Sequence, residues 1–218
     1  MFQDIKTIYK NDPAADGLLF LLYPGLWAIT IHRYLSHPLY WLSLKINTPL
    51  LKAISKFLAV LLSQLVRLLT QIEIHPGAKI GKGLFIDHGN GIVIGETAVI
   101  GDNCTIFHNV TIGGTGNHIG KRHPSIGNNV CIGTGSTLLG PITVADNVKI
   151  GAQSMIVMQD VPANTTVVGA PAHIVKLNGE KTYLPLPNTG YTKALTNEIS
   201  LQIWRKQESL PLRKCCIG

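Results

Sequence analysis

The sequence predicts an α+β chain: an N-terminal α-helical region followed by a parallel β-helix of hexapeptide repeats. Three observations carry this. Between Ile74 and Ile156 an aliphatic residue returns every six positions, with two interruptions. Glycine commonly follows it, as at Gly81, Gly95, Gly101, Gly127 and Gly133. Before residue 72 the polar residues instead recur at the helical period.

The beat runs through Ile74, Ile80 and Ile86, slips by two, and resumes at Ile94, Ile100, Ile106 and Ile112. A longer break, "GGTGNHIGKRHPS", precedes Ile126, Ile132, Leu138, Val144, Ile150 and Ile156. A period of six fits neither an α-helix nor a hairpin sheet. It fits a solenoid in which each hexapeptide makes one flat side and one turn, the aliphatic residue pointing inward. Small or branched residues four positions on, such as Ala78, Ala98, Cys104 and Val110, fill the corners of the core.

Residues 1–71 form the helical domain. In 51–71 the polar residues Lys52, Lys56, Ser63, Arg67 and Thr70 fall on one stripe, and the remaining face is apolar. So wide an apolar face needs covering by other helices or by a neighbouring subunit. "GLLFLLYPGLWAITI" (17–31) is uncharged but short, and Pro24-Gly25 cuts it, so a buried helix pair is expected there rather than a membrane span. Asp12-Pro13 reads as a helix start. Residues 72–171 are the β-helix domain. Residues 172–218 are a C-terminal tail, with a turn-rich "LPLPNTG" and one short amphipathic helix expected in "KALTNEISLQIWRKQ".

The composition narrows the function. With 45% hydrophobic and 14% charged residues the chain can bury a sizeable core and is not disordered. The net charge of +7 suits an anionic partner. Basic residues form no run and aromatics do not interleave with them, which argues against nucleic acid. Cys104, Cys131, Cys215 and Cys216 form no C-x-x-C, and the polar N-terminus carries no secretory signal. A cytoplasmic protein with reduced thiols is expected.

Insertions in a solenoid bulge outward as loops, where function concentrates. The first break holds Asp87 and His88; the second holds Lys121, Arg122 and His123. One flat wall makes no deep pocket. A neighbouring subunit is therefore expected to bring its second break to this chain's first.

"IEIHPGAKIGKGLFIDHGNGIVIGETAVIGDN", "VTIGGTG", "KRHPSIGNNVCIGTGSTLLG" and "DVPANTTVVGAPAHIV" together resemble the serine O-acetyltransferases of cysteine biosynthesis, and "DIKTIYKNDPA" extends the likeness into the helical region. The resemblance implies a left-handed β-helix, an exception to the usual right-handed crossover. It implies a homotrimer, or a dimer of trimers, that moves acetyl from acetyl-CoA to the hydroxyl of L-serine, with no metal.

By the same resemblance His88 is the general base and Glu73 the carboxylate that orients it. Arg122 and His123 bind the substrate carboxylate; Asp12 and Asp87 bind its ammonium group. Gly114 and Thr115 lie near the thioester, and Thr134, Lys149 and Ala152 line the rest of the CoA path. Two positions depart from the family: Asn117 where lysine is usual after "GGTG", and His173 where arginine is usual in "P-A-R-I". Each removes a cation from the neighbourhood of the CoA phosphates. The family also docks a C-terminal isoleucine into O-acetylserine sulfhydrylase. Here Ile217 is followed by Gly218, so that complex is expected to be weak.

Two other readings share the solenoid. One is an acetyltransferase for a sugar or xenobiotic acceptor. The other is a zinc enzyme like the γ-class carbonic anhydrases, with His118, His123 and His88 or His108 as ligands.

Overall fold

The computed structural model describes residues 2–116 and 119–188. Four α-helices come first: α1 (Phe2–Asn11), α2 (Pro24–Ile31), α3 (His37–Lys45) and α4 (Pro49–Thr70). The solenoid then winds in three-strand coils: β1 (Ile72–Ile74), β2 (Lys79–Ile80) and β3 (Phe85–Ile86); β4 (Ile92–Ile94), β5 (Val99–Ile100) and β6 (Thr105–Ile106). It continues with β7 (Thr111–Gly113), β8 (Ser125–Ile126) and β9 (Cys131–Ile132); β10 (Thr137–Leu139), β11 (Thr143–Val144) and β12 (Lys149–Ile150); and β13 (Met155–Val157).

Every third strand pairs in parallel, giving three walls: β1-β4-β7-β10-β13, β2-β5-β8-β11, and a third through β3, β6, β9 and β12. The register displays both interruptions. Ile72 pairs with Ile92, a coil of 20 residues. Thr111 pairs with Thr137, a coil of 26. Thr137 pairs with Met155, a coil of 18. The extra residues leave the walls in step and bulge at the corners.

The core is the stacked aliphatic column. Ile74, Ile94, Ile100, Ile106, Ile112, Ile132, Leu138, Val144, Ile150 and Ile156 are all buried. Cys104 sits fully buried among them, and burial pushes its thiol up to about 11. The third wall continues beyond the expected tail boundary through β14 (Thr165–Val168), β15 (His173–Leu177) and β16 (Glu180–Pro185), the last two antiparallel. "LPLP" is thus partly the end of a capping hairpin rather than a linker. Its strands have no six-residue beat because they leave the coil. The helix expected at 193–207 and the Ile217-Gly218 end lie outside the described residues.

The helical region differs from expectation in two places. Asp12 follows α1 instead of starting a helix; its Oδ1 accepts the Ala14 N–H at 2.8 Å in a local turn. Residues 17–31 are only half buried: α2 buries Leu26, Ala28 and Ile29, while Leu18, Leu19, Leu21 and Leu22 before it are exposed. Helix α4 is laid with its small side inward. It buries Ser55, Ala59, Ser63 and Val66 along α2, α3 and β1, and Ser63 Oγ donates to the Ile74 carbonyl at 2.6 Å. Leu50, Ile54, Phe57, Leu61, Leu65 and Leu68 face outward and are exposed. Among the described residues α4 alone is long and apolar enough to cross a bilayer. Lys52, Lys56 and Arg67 punctuate it, and its inner side is committed to the fold.

Candidate active site

The corner between β3 and β4 is the first break. Its backbone turns through the left-handed region at His88 (φ +60°), Gly89 (φ +77°) and Gly91 (φ +73°). A Cβ on Gly89 would lie 2.6 Å from Ile72 Cδ1, so the turn demands glycine there for space as well as for φ. His88 holds a conformation unusual for a residue with a Cβ, a form of strain that gathers at functional sites. Its ring stands out of the wall, 75% exposed, with Nε2 3.7 Å from Asp87 Oδ1. The His108 ring, one coil on, meets it edge-on at 5.9 Å.

Asp12 reaches the same corner from the helical region. The Tyr23 hydroxyl donates to Asp12 Oδ2. That bond, then the Ala14 N–H, then the charge of His88, hold the Asp12 carboxyl below its usual range against desolvation. Tyr23 is pushed up to about 12 in return, chiefly by Asp12. Sequence reasoning missed Tyr23; its only signal is its place just before Pro24.

Further along this edge lie Thr134, between β9 and β10, and Ala152, between β12 and β13. Thr134 Oγ1 hydrogen-bonds His108 at 3.0 Å. Lys149 stands on the adjacent wall in β12, paired in register with Cys131. A Cβ on Gly133 would meet the Ala152 nitrogen at 2.6 Å, so the edge is kept lean there.

The second edge, between β7 and β8, carries Gly114, Thr115, Arg122 and His123. It is braced by the turn between β4 and β5. Glu96 Oε2 takes Arg122 Nη2 at 2.5 Å, and the Tyr40 hydroxyl donates to Glu96 Oε1 at 2.6 Å. Tyr40, then Arg122, hold the Glu96 carboxyl below its usual range. Thr97 contacts His123 Nδ1 through its N–H at 3.2 Å and its hydroxyl at 2.9 Å. His123 is pushed down by burial and by the Arg122 charge. Lys121 donates to the Thr97 and Pro124 carbonyls, and burial, with Lys79 nearby, takes it down to about 8. Glu96, Thr97 and Tyr40 were not foreseen; "GETA" in the turn ahead of the second break was the available signal.

The predicted site residues thus divide. Asp12, Asp87, His88, Thr134 and Ala152 share one edge; Gly114, Thr115, Arg122 and His123 share another. Glu73 stands on the first wall, in register with Val93. Its Oε2 pairs with Arg67 Nε at 3.3 Å, whereas His88 pairs with Asp87. The histidines named for zinc are split likewise, His88 and His108 on one edge and His123 on the other; Asn117 and His118 lie outside the described residues. Among the described residues no three His, Cys, Asp or Glu side chains gather as a metal site. An edge with an exposed imidazole beside two carboxylates can bind an ammonium group and move a proton. An edge with a braced guanidinium can bind a carboxylate.

Residues 123–157 match the bacterial transferase hexapeptide (six repeats) family. A serine acetyltransferase of Staphylococcus epidermidis is 52% identical over 183 residues, covering 83% of this chain and 80% of that protein. The crystal structure of Neisseria gonorrhoeae serine acetyltransferase has a TM-score of 0.73 and 43% identity over 83% of this chain, which spans 65% of that one. The same enzyme in complex with serine superposes with a TM-score of 0.71 at 42% identity, covering 80% of this chain and 67% of that one. Serine acetyltransferase from Brucella abortus in complex with coenzyme A gives 0.71 at 41%, covering 84% and 67%. The helices and the left-handed β-helix are those of these enzymes, and the chain belongs to the serine acetyltransferase family.

Proposed function

We propose that this chain transfers acetyl from acetyl-CoA to the hydroxyl of L-serine, giving O-acetyl-L-serine and CoA. The observation that carries the assignment of residues is the first edge, where His88 stands exposed beside Asp87 with Asp12 held close by Tyr23. Asp12 and Asp87 take the serine ammonium group. Arg122 and His123 of a neighbouring copy take its carboxylate. His88 removes the hydroxyl proton as the oxygen attacks the thioester carbonyl; imidazole suits this because its pKa lies near working pH. The tetrahedral adduct collapses, the C–S bond breaks, and the imidazolium returns the proton to the CoA sulfur.

Glu73 orients His88. Its Oε2 is taken by Arg67, so the role falls to Oε1. Acetyl-CoA lies along the lean edge with Thr134, Lys149 and Ala152, its thioester towards Gly114 and Thr115 of the facing chain. The small residues among these leave room for an extended ligand close to the backbone. His173 stacks on Tyr183 at 4.9 Å.

A neighbouring copy is needed because the two halves of the site lie on different edges of one solenoid. The outward face of α4 offers an apolar, uncharged surface to a second copy along Leu50, Ile54, Phe57, Leu61, Leu65 and Leu68. The assembly is a homotrimer or a pair of trimers.

Release of CoA thiol from acetyl-CoA tests the reading, with L-serine, threonine, a sugar or chloramphenicol as acceptor. Serine-dependent release is expected. Release with another acceptor and none with serine would overturn the substrate.

A further inference from the structure

We propose that Thr97 is a positioning residue that fixes His123 as the Nε2–H tautomer, the form that can donate to a substrate carboxylate. This rests on the reading of Arg122 and His123 as the carboxylate clamp.

The argument is a count of donors and acceptors around one hydroxyl and one ring nitrogen. Thr97 Oγ1 accepts the backbone N–H groups of Arg122 at 3.0 Å and His123 at 3.1 Å. With its lone pairs so engaged, its own O–H is left to donate to His123 Nδ1, 2.9 Å away. The Thr97 backbone N–H also points at Nδ1, at 3.2 Å. A hydroxyl can reverse its role, but a backbone N–H cannot. A proton on Nδ1 would set two N–H groups against each other. Nδ1 is therefore the acceptor, and the neutral ring carries its proton on Nε2.

The opposite side of the ring packs against glycine. His123 Cδ2 and Nε2 occupy the space that a Cβ on Gly95 would need. A Cβ on Gly114 would lie 3.6 Å from Nε2. Two bare backbones thus border the Nε2–H. Burial and the Arg122 charge hold the ring neutral.

This divides the work of two histidines facing one substrate. In His123 the lone pair is turned inward on Thr97, so the ring offers a donor and no base. Base chemistry is left to His88, whose exposed ring stands beside the Asp87 carboxylate. Arg122 supplies charge; His123 supplies direction.

The test combines ¹⁵N-imidazole NMR with steady-state kinetics on the full chain, for wild type, Thr97→Val and Thr97→Ser. The His123 signal is assigned by its loss in His123→Gln. Wild type and Thr97→Ser should show a single Nε2–H tautomer. Thr97→Val also releases the Arg122 and His123 backbone N–H groups that the hydroxyl anchors, so the ring leaves the Thr97 N–H and should show a mixture, with KM for serine raised ~10-fold, KM for acetyl-CoA unchanged and kcat moved less. An Nδ1–H tautomer in the wild type overturns the proposal and leaves the clamp standing; that spectrum decides even where Thr97→Val does not fold. A shifted tautomer with unchanged KM for serine overturns the clamp, and the positioning role with it.

Discussion

The Glu96 carboxylate holds the Arg122 guanidinium at 2.5 Å, and both side chains are partly shielded from water. Tyr40, from α3, holds the other oxygen of the same carboxylate. A residue of the helical region thereby braces a residue of the second break. Glu96→Gln keeps the shape and removes the charge that aligns Arg122. KM for serine should rise about tenfold, roughly 1.4 kcal/mol, with KM for acetyl-CoA unaffected. An equal rise in both constants would show that Glu96 supports the fold in general and not the clamp.

His88→Ala should lower kcat by roughly 10²–10⁴-fold, the usual worth of a general base. The side chain is 75% exposed, so thermal stability should be close to wild type. An unchanged kcat would remove His88 from the mechanism and turn attention to His108 beside it.

The two-residue slip makes its own prediction. Gly89 has a positive φ and no room for a Cβ against Ile72. Gly89→Ala should cost roughly 1–3 kcal/mol and misplace His88, lowering kcat together with the urea midpoint. Gly120 also has a positive φ, but open space surrounds it, so Gly120→Ala should cost less. Equal losses at both positions would show that φ strain alone governs and that the fit against Ile72 is irrelevant.

The solenoid was legible because its rule is local and repeated. Each inward Ile is followed by its turn, and Ile72↔Ile92 and Thr111↔Thr137 place the coil expansions where the beat slips. The two breaks that carry the candidate residues were legible, but their bracing was not. Glu96 and Thr97 sit inside a regular repeat, so nothing in the spacing marks them. Their roles arise because a later loop folds back across 26 residues of sequence onto the preceding turn. The helical region was misread where one pattern permits two packings. The polar stripe of α4 includes Ser63, which faces β1. Small side chains let the helix approach the wall closely, and the large ones are left outside. Asp12-Pro13 has the chemistry of a cap, but α1 ends just before it and Tyr23 claims the carboxylate.

Acid should destabilise the protein in a defined window. His32 is buried, its ring held by the Ala78 carbonyl at 3.2 Å, and burial lowers its pKa from 6.5 to about 3. Below pH 6.5 the unfolded chain takes up a proton that the folded chain refuses until about pH 3. Stability therefore falls as pH falls through that interval, by about 1.4 kcal/mol per unit for each such proton. His75 and His123, also pushed down by burial, act in the same sense. Urea midpoints between pH 7 and 5 should decline, and His32→Gln should flatten the decline. The same slope in that variant would assign the effect to the other two histidines.

The outward face of α4 gives the assembly its test. Leu61 is 40% exposed near the middle of that face, opposite the buried Ala59 and Ser63. In an isolated chain Leu61→Glu would be a surface change worth at most about 0.5 kcal/mol. Within an apolar interface it would bury an unpaired carboxylate and break the contact. Light scattering should then show a smaller assembly, while circular dichroism retains the helical and strand signals. Activity separates the two interfaces. If α4 joins chains that share a site, CoA release falls with the mass, because His88 loses the neighbour's Arg122. If α4 joins one trimer to another, the mass halves and the rate per chain persists. An unchanged mass would mean that α4 is not an intersubunit surface.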